Sequence, residues 1–311
     1  MGDSQMNDER TALRWNVERR LNFIELRLYW EGRINRADLV DFFGISVPQA
    51  SQDLARYDEL APGNLSYDKN AKTYVAGPDF APVISAPSAD GYLAQLRSLA
   101  TGGLAAGESW IGRPPSFVGA PRLRRVYDRE VLRRLVRCIQ DRLELDALYL
   151  SFTDDTPSIR RIAPHALGFD GQRWHVRAFC FRTLSYRDFV IGRLEQLGEP
   201  QPTAARPEWD LEWSVQVNLC LAANPRLPKN MRAAVEHDHG MHDGKVEVPL
   251  SVCSSYYLES QLNLDLDPEH IPVRRQQLVL LNREELTEAR MAAKAKTAAL
   301  VAAAGLTAIA S

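Results

Sequence analysis

The chain has 311 residues, 45% of them hydrophobic, and a formal net charge of −2 at pH 7. This length favours two or three domains with sizeable cores, and the composition is typical of a soluble globular protein. No apolar run approaches the ~20 residues that a membrane span needs, and residues 1–5 lack the basic and apolar regions of a signal peptide. We therefore expect no membrane partner and a cytoplasmic location.

The first predicted elements have the order of a helix-turn-helix. Apolar residues recur at helical spacing between residues 13 and 30, which predicts one long amphipathic helix closed by Gly32. Asn35 is expected to cap a second helix that ends at Gly44, and a third helix begins after Ser46. Two brief helices joined by so short a junction are typical of a helix-turn-helix.

The third helix is expected to contact DNA. Val47, Ala50, Leu54 and Tyr57 form its apolar stripe, and the opposite face carries glutamine and arginine, which pair well with adenine and with guanine or phosphate. Two short alternating strands around a polar turn at 68–71 then predict a β-wing with lysines near the DNA backbone. The predicted DNA-contacting residues are Ser46, Gln49, Ser51, Gln52, Arg56, Lys69 and Lys72.

The charge of this segment leaves an alternative open. Residues 1–80 carry 10 basic and 13 acidic residues, which is not the balance of a strong DNA binder. A small helical domain with a polar exposed face is therefore the competing interpretation. If the segment does bind DNA, we expect it to need dimerisation, because two half-sites engaged together raise the avidity.

A composition change separates this segment from the rest of the chain. Residues 77–121 are rich in Pro, Gly, Ala and Ser, which predicts a linker, with a short helix around 91–100. Residues 122–142 are expected to form a helix with an apolar face for packing. Its arginine-rich outer face favours solvated charge over DNA contact.

The most informative stretch lies between residues 160 and 194. Side chains alternate faces in a strand, so Arg173, His175 and Arg177 are expected to share one face, and Trp174 and its apolar neighbours the other. Arginine favours such settings because its planar group binds phosphate or carboxylate through two hydrogen bonds. From Gly112 to Arg206 there are 17 Arg and no Lys against 11 acidic residues. This local excess of positive charge indicates an anionic partner such as a nucleotide or nucleic acid.

The same stretch resembles a WYL domain, the ligand-sensing module of many bacterial transcriptional regulators. The matching motif is an Arg, then Pro-x-x-Leu, a Trp-Tyr-Leu-like triplet, Arg-x-Phe and an Arg-aliphatic pair. The matching residues here are Arg161, Pro164 to Leu167, Trp174-His175-Val176, Arg187 to Phe189 and Arg193-Leu194. The triplet keeps only its Trp, so the resemblance implies the fold, a small Sm-like β-barrel or sheet, more firmly than the details of the pocket.

Two lines of reasoning give the expected effector-binding residues. The motif match supplies most of them, strand alternation adds Arg177, and Ser151 is added because Tyr149, Ser151 and Thr153 form the polar face of the preceding strand. Trp174 is expected to pack beneath its strand rather than to touch the ligand. The set is Ser151, Arg161, His165, Trp174, His175, Arg177, Arg187 and Arg193.

The chain beyond Pro207 predicts an α+β extension. The stretch 209–219 opens with alternating large apolar and polar residues, which indicates a strand, and 245–252 indicates another. Two short helices are expected around 231–235 and 254–262. Asn282, with Glu three residues on, has the form of a capping box before an Ala-rich helix.

The order of these segments resembles the defence-island transcriptional regulators of the BrxR and CapW type. The resemblance implies an α+β multidomain fold and a homodimeric repressor that binds a palindromic operator, controls a phage-defence operon and responds to an effector in the WYL pocket. The predicted domains are a winged helix-turn-helix at 1–80, a linker at 81–121, a WYL domain with its leading helix at 122–206 and a dimerisation domain at 207–311.

Two other functions remain alternatives. The WYL-like region could be an accessory nucleic-acid-binding module of an enzyme complex, with the N-terminal domain serving protein contacts. A nucleotide-dependent enzyme would need His165 or His175 as general base, and no partner carboxylate is evident. No Walker loop, Gly-x-Gly-x-x-Gly motif or serine elbow is present, and the four cysteines are isolated. The histidines at 237, 239 and 242 favour a polar turn over a metal site, so no enzyme activity, cofactor or metal is expected.

Overall fold

The computed structural model describes residues 2–120, 123, 125–152 and 156–309, with side chains from residue 15 onward. Contacts between residues divide the chain into two compact units, which we call the first unit, residues 1–123, and the second unit, residues 124–311. Within the described residues, no helix combines the length and the apolar character that crossing a membrane requires.

The first unit is a winged helix. Its elements are α1 (Gly2–Glu31), β1 (Arg33–Ile34), α2 (Arg36–Phe43), α3 (Val47–Leu60), β2 (Leu65–Asp68), β3 (Thr73–Ala76) and α4 (Ala89–Thr101). The three strands form an antiparallel sheet in the order β1-β3-β2. The predicted end of α2 and the predicted start of α3 are confirmed: Gly44 takes a left-handed φ of 65° after α2, and the Ser46 hydroxyl accepts a hydrogen bond from the Gln49 N–H at the start of α3.

The core of this unit forms where α1, α2 and α3 meet. Ile24, Leu39 and Leu54 are fully or almost fully buried there, and Arg20 of α1 pairs with the buried Asp53 of α3, Nε to Oδ2 2.6 Å. Val47 was expected in the apolar stripe, but it is 56% exposed. Residues 46–48 are all exposed, so the first turn of α3 extends beyond the core.

The segment after the wing is attached to the winged helix by specific contacts. The buried carboxylate of Glu25 accepts hydrogen bonds from the N–H groups of Val83, Ile84 and Ser85 at 2.7–3.0 Å. Trp30 of α1 stacks on Tyr92 of α4, with ring centroids 4.5 Å apart. The segment predicted as a linker is therefore part of the first unit and packs on α1 through residues 83–85 and 92, and its boundaries stay a prediction.

The second unit begins with a helix and a six-stranded antiparallel sheet. These elements are α5 (Arg129–Asp141), β4 (Leu143–Tyr149), β5 (Ser158–Phe169), β6 (Trp174–Cys180), β7 (Ser185–Val190), β8 (Leu194–Glu195) and β9 (Gln201–Pro202). The order is β7-β6-β5-β4-β8, with β9 paired to β4. Leu135 of α5 packs with Val176 and Ala178, whereas Phe179 belongs to a separate core on the opposite face of β6.

An α+β layer follows on the same unit. Its elements are α6 (Leu211–Ser214), β10 (Gln216–Ala223), α7 (Lys229–Asp238), β11 (Lys245–Ser251), α8 (Val252–Gln261), β12 (Leu278–Leu280) and α9 (Arg283–Ala303). The strand expected from residue 209 starts only at Gln216, because Asp210 caps the short helix α6 by accepting from the Trp213 N–H. Asn282 does not use its side chain to cap α9. Its amide instead bonds the Cys220 N–H and the Asn218 carbonyl of β10.

Candidate functional site

The exposed face of α3 carries Gln52 and Arg56, as the sequence predicts. Gln49 is half-buried, and its Nε2 donates to Asp53 Oδ1 at 3.1 Å, next to the pair between Asp53 and Arg20. The Ser51 hydroxyl donates to the Val47 carbonyl at 3.0 Å. Gln52 and Arg56 therefore lie on the solvent face of α3, while the Gln49 amide is held by its own helix.

The predicted wing lysines lie in the turn between β2 and β3. Lys69 and Lys72 are both exposed, and Lys72 has a φ of 52°. The Asp68 carboxylate accepts from the N–H groups of Asn70 and Ala71 at 2.8 and 2.9 Å, an Asx-type turn that orders the tip. The wing thus presents two cations on a turn with a defined conformation.

A cationic cavity of about 250 Å³ opens on the six-stranded sheet, and we call it the arginine pocket. It brings together three of the predicted effector residues, Ser151, Arg187 and Arg193, whereas Thr153 lies outside the described residues. Sequence reasoning missed Arg160, Arg182 and Asp188. The lining residues are Tyr149, Ser151, Phe152, Arg160, Cys180, Arg182, Thr183, Arg187, Asp188, Phe189 and Arg193.

The chemistry of the arginine pocket suits an anion beside a ring or a sugar. Its described lining residues include four arginines and one acidic residue, Asp188. Asp188 pairs with Arg177 across β6 and β7, so its carboxylate lies on the sheet face opposite Arg187 and Phe189. The Arg193 guanidinium carbon lies 3.5 Å from the centroid of the Phe152 ring, and Tyr149 packs edge-to-face on Phe189. Guanidinium groups bind phosphate or carboxylate in a planar, two-point manner and stack on aromatic rings.

Two predicted effector residues, Arg177 and His165, belong instead to a buried ion cluster that we call the Arg177 cluster. Arg177 is 5% exposed and donates from Nε and Nη2 to Asp210 at 2.7 and 2.9 Å, and from Nη2 to Glu212 at 3.1 Å. Its Nη1 lies 3.5 Å from Asp188, and His165 Nε2 lies 2.9 Å from Asp210. These side chains therefore attach the 210–214 segment to the sheet.

The charges and hydrogen bonds within the Arg177 cluster shift the pKa values of Arg177 and Asp210. Burial by itself lowers the pKa of Arg177, but hydrogen bonds to Asp210 and the charges of Asp188, Asp210 and Glu212 raise it well above the usual value. Burial also raises the pKa of Asp210, and the opposing bonds from Arg177 and His165 leave that pKa lowered. Both groups of the central pair are therefore charged at neutral pH.

The other predicted effector residues lie outside the arginine pocket. Asp170 Oδ2 lies 2.9 Å from both His175 Nε2 and Arg173 Nε; burial opposes ionisation of Asp170, but these contacts and two backbone N–H groups lower its pKa to about 2. Arg161 pairs with Asp146 at 2.9 Å. Trp174 is 45% exposed and packs on Phe169, next to an apolar cavity of about 290 Å³.

Within the described residues, no group of three or more His, Cys, Asp or Glu side chains could hold a metal ion. This result covers His237, in the last turn of α7, and His239 and His242, which lie beyond the end of that helix.

Three family models match consecutive parts of the chain. Residues 16–98 match the winged helix-turn-helix domain of the BrxR transcriptional regulator, and residues 130–198 match the WYL domain. Residues 216–286 match the C-terminal dimerization domain of the BrxR regulator. The three matches follow the order that the sequence predicts.

Curated relatives match nearly the whole chain. A DNA-binding transcriptional repressor CapW of Escherichia coli strain KTE188 is 38% identical over 92% of this chain and 96% of the relative. CapW of Stenotrophomonas maltophilia is 39% identical over 89% and 93%, and CapW of Pseudomonas aeruginosa is 36% identical over 92% and 96%.

Among solved structures, the chain aligns with the proteasome accessory factor B/C of Arthrobacter aurescens, with 16% identity and a TM-score of 0.25. The alignment covers 92% of this chain and 48% of that one, so the chain spans about half the length of that protein.

Proposed function

The chain belongs to the BrxR and CapW family of WYL-domain transcriptional regulators, and on this premise we propose that it is a homodimeric repressor whose hold on a palindromic operator is released by an anionic effector. The observation that carries the proposal is the cavity lined by four arginines. The first unit of the same chain exposes Gln52 and Arg56 on α3, where they can contact DNA. By family resemblance, the operator would control a phage-defence operon. No catalytic step is assigned to the chain.

The proposed DNA contacts divide into base contacts and backbone contacts. Gln52 and Gln49 would contact base edges, and Arg56 would lie nearer the phosphates. Lys69 and Lys72 of the wing would meet the backbone, and Ser46 and Ser51 would add hydroxyl contacts at the N-terminus of α3. Because the first 80 residues carry a net charge of −3, from 10 basic and 13 acidic residues, one copy is expected to bind weakly.

The proposed effector is an anion that is only partly enclosed. Pockets that bury a drug-sized ligand usually measure ~300–1,000 Å³, and the arginine pocket is smaller than this range at about 250 Å³. The pocket would therefore take a phosphate with its sugar or base, while the rest of a nucleotide or nucleic acid fragment stays outside. Arg187 and Arg193 would hold the charge, and Ser151 would donate a hydrogen bond.

An electrophoretic shift with the DNA upstream of the chain's own gene tests the DNA-binding part of the proposal. We expect a retarded complex that survives an excess of unrelated DNA, because specific sites bind ~10³–10⁷-fold more tightly than non-specific ones. A protein that shifts both DNAs equally, or neither, would not be a sequence-specific repressor.

The effector response should depend on Arg187 and Arg193. We expect Arg187→Ala and Arg193→Ala to keep operator binding and to lose release by a 5′-phosphorylated dinucleotide, because each variant removes one guanidinium from the arginine pocket. Fluorescence anisotropy of labelled operator, titrated with the dinucleotide, measures this. Arg137→Ala, on the exposed face of α5, is the control. If both variants instead bound operator weakly and with a reduced salt dependence, these arginines would contact DNA phosphates directly.

Dimerisation should depend on apolar surface in the C-terminal region. Leu266 and Leu281 are 50% and 57% exposed and lie within the part that matches a dimerization domain. We expect the double change Leu266→Asp, Leu281→Asp to raise the dimer dissociation constant about tenfold or more, because it buries carboxylates in an apolar contact. Sedimentation velocity of the full chain measures it. Met291→Asp, at a 66% exposed residue outside the matched range, is the control and should leave the dimer unchanged.

A further inference from the structure

The short helical turn Ile191–Arg193, which follows β7, borders two cavities of the second unit. Arg193 lines the arginine pocket, and its guanidinium stacks on the ring of Phe152, which lines the same pocket. Ile191 is 2% exposed and lines the apolar cavity beside Trp174. The Arg193 carbonyl accepts a hydrogen bond from the Leu150 N–H at 3.0 Å. A displacement of Arg193 at the pocket therefore moves a turn that is packed on its other side.

The chain enters the second unit next to this turn. Residues 125–127, which we call the entry segment, follow the boundary between the two units and lead to Asp128, the N-cap of α5. A Cβ atom added to Gly192 would lie 2.9 Å from the Val126 carbonyl oxygen and 3.9 Å from the Tyr127 ring. Gly192 is therefore in close contact with the entry segment, and any larger residue at this position would collide with its backbone.

Tyr127 fixes the position of the entry segment. Its side chain is half-buried and packs against the core that includes Ile191, and both residues line the apolar cavity. The Tyr127 hydroxyl accepts a hydrogen bond from the N–H of Trp174, the first residue of β6, at 3.2 Å. Arg125 and Val126 are exposed, so within residues 125–127 it is the Tyr127 side chain that holds the chain against the sheet.

We infer that Tyr127 is the positioning residue through which occupancy of the arginine pocket reaches the chain that joins the two units. This inference rests on the proposed function, since it assigns the path by which a bound anion releases the operator. An anion drawn to the Arg193 guanidinium competes with the Phe152 ring and displaces the turn that carries Arg193. Gly192 then shifts against the entry segment, which passes the shift to the chain that leads to the first unit.

Gly192→Ala tests this path without any effector. The added methyl group has to displace the Val126 carbonyl or the turn itself, and Gly192 has no left-handed φ that would strain an alanine. We expect operator binding to weaken about tenfold, within the range of ~5–150-fold for coupled sites. The Trp174 N–H should also exchange faster with deuterium, because its hydrogen bond to Tyr127 is disturbed. Fluorescence anisotropy measures the affinity, and mass spectrometry of the full chain measures the exchange.

Tyr127→Phe is a milder change of the same contact. It removes the hydroxyl that accepts from the Trp174 N–H and keeps the ring in the core, so we expect faster exchange at Trp174 and operator binding about fivefold weaker. Gly198→Ala is the matched control, because its added methyl group meets the Asp146 side chain at 3.4 Å, an ordinary contact, and should alter neither quantity. Sedimentation of each variant should give the dimer dissociation constant of the parent, which separates this path from a loss of the dimer.

A 5′-phosphorylated dinucleotide tests the same path from the pocket. When it binds the parent, the Trp174 N–H should exchange faster, although Trp174 does not line the arginine pocket. The dinucleotide Kd should differ about tenfold with and without operator in the parent, and less than threefold in Tyr127→Phe, because this variant has already lost most of what the effector removes. A purely structural role for Tyr127 would change the stability of the chain and leave this ratio unaltered.

The outcomes are distinct for the inference and for the proposed effector. An operator affinity within twofold of the parent in Tyr127→Phe, or in a folded Gly192→Ala, overturns the inference. A dinucleotide that binds and releases the operator equally well from the parent and from Tyr127→Phe overturns it too. Failure of the dinucleotide to bind the parent overturns the proposed effector class. The two variants still decide the role of Tyr127 in that case, because their operator affinities are measured without ligand.

Discussion

Replacing Arg177 with Met is expected to destabilise the second unit by about 3–5 kcal/mol, because it leaves the Asp210 carboxylate buried without its main partner. Arg177 and Asp210 are 5% and 1% exposed, and two hydrogen bonds join them. Urea unfolding of the full chain, followed by tryptophan fluorescence, measures the loss. Arg137→Met, on the exposed face of α5, should stay within ~0.5 kcal/mol of the parent. A loss below about 1 kcal/mol for Arg177→Met would mean that the pair is not closed in solution.

A second variant identifies the source of this loss. Adding Asp210→Asn to Arg177→Met removes the uncompensated charge, so we expect part of the lost stability to return. The recovery should be incomplete, because the Asp210 carboxylate also lies 2.9 Å from His165 and caps α6. If the double variant were less stable than Arg177→Met, repulsion from the unpaired Asp210 would not be the cause.

The contacts of the Arg177 cluster also determine which kind of variant is suitable for measuring dimerisation. A truncation after residue 206 removes Asp210, Glu212 and Val301, which cover one face of the sheet. The shortened chain would expose Phe179 and leave the Arg177 guanidinium without its Asp210 and Glu212 partners. Loss of dimer in such a truncation would therefore mix unfolding with loss of the interface, and point changes in the full chain are the cleaner measurement.

Local rules predicted the helix-turn-helix because short-range contacts determine it. The end of α2 depends on Gly44 in a left-handed conformation and the start of α3 on the Ser46 cap, and both residues are visible in the sequence. The capping role of Asn282 failed for the opposite reason. Its amide is taken by the backbone of β10, about 60 residues earlier, and no local pattern shows that competition.

Strand alternation predicted which face of its strand a site residue occupies, but not which residues cover that face. Alternation correctly separated Arg177 from Val176, but it could not show that carboxylates from residues 210 and 212 would cover the Arg177 face. Arg160 and Arg161 are adjacent, so their side chains lie on opposite faces of the sheet, and the register between β4 and β5 places Arg161 next to Asp146. Without that register, the sequence could not assign Arg160 to the arginine pocket.

Two single variants in α3 should distinguish a residue that contacts a base from a residue that contacts the DNA backbone. We expect Gln52→Ala to weaken operator binding by ~1–3 kcal/mol, because it removes a base contact. The salt slope, which is the change of the logarithm of the binding constant with the logarithm of the salt concentration, should stay unchanged. Arg56→Ala should weaken binding to operator and to unrelated DNA alike, and lower the salt slope by about 1, because it removes a phosphate contact. Anisotropy titrations on both DNAs at several salt concentrations measure both quantities.

Gln49 and an unrelated glutamine complete this test. Gln49→Ala should cost less than Gln52→Ala, because the Gln49 amide already donates to Asp53 and has less freedom to meet a base. Gln140→Ala, at an exposed residue of α5, makes the same side-chain change in the second unit and should leave operator affinity unaltered. If Gln52→Ala and Arg56→Ala both bound operator as the parent does at every salt concentration, α3 would not be the helix that contacts the bases, and the wing lysines would have to carry the binding through phosphate contacts alone.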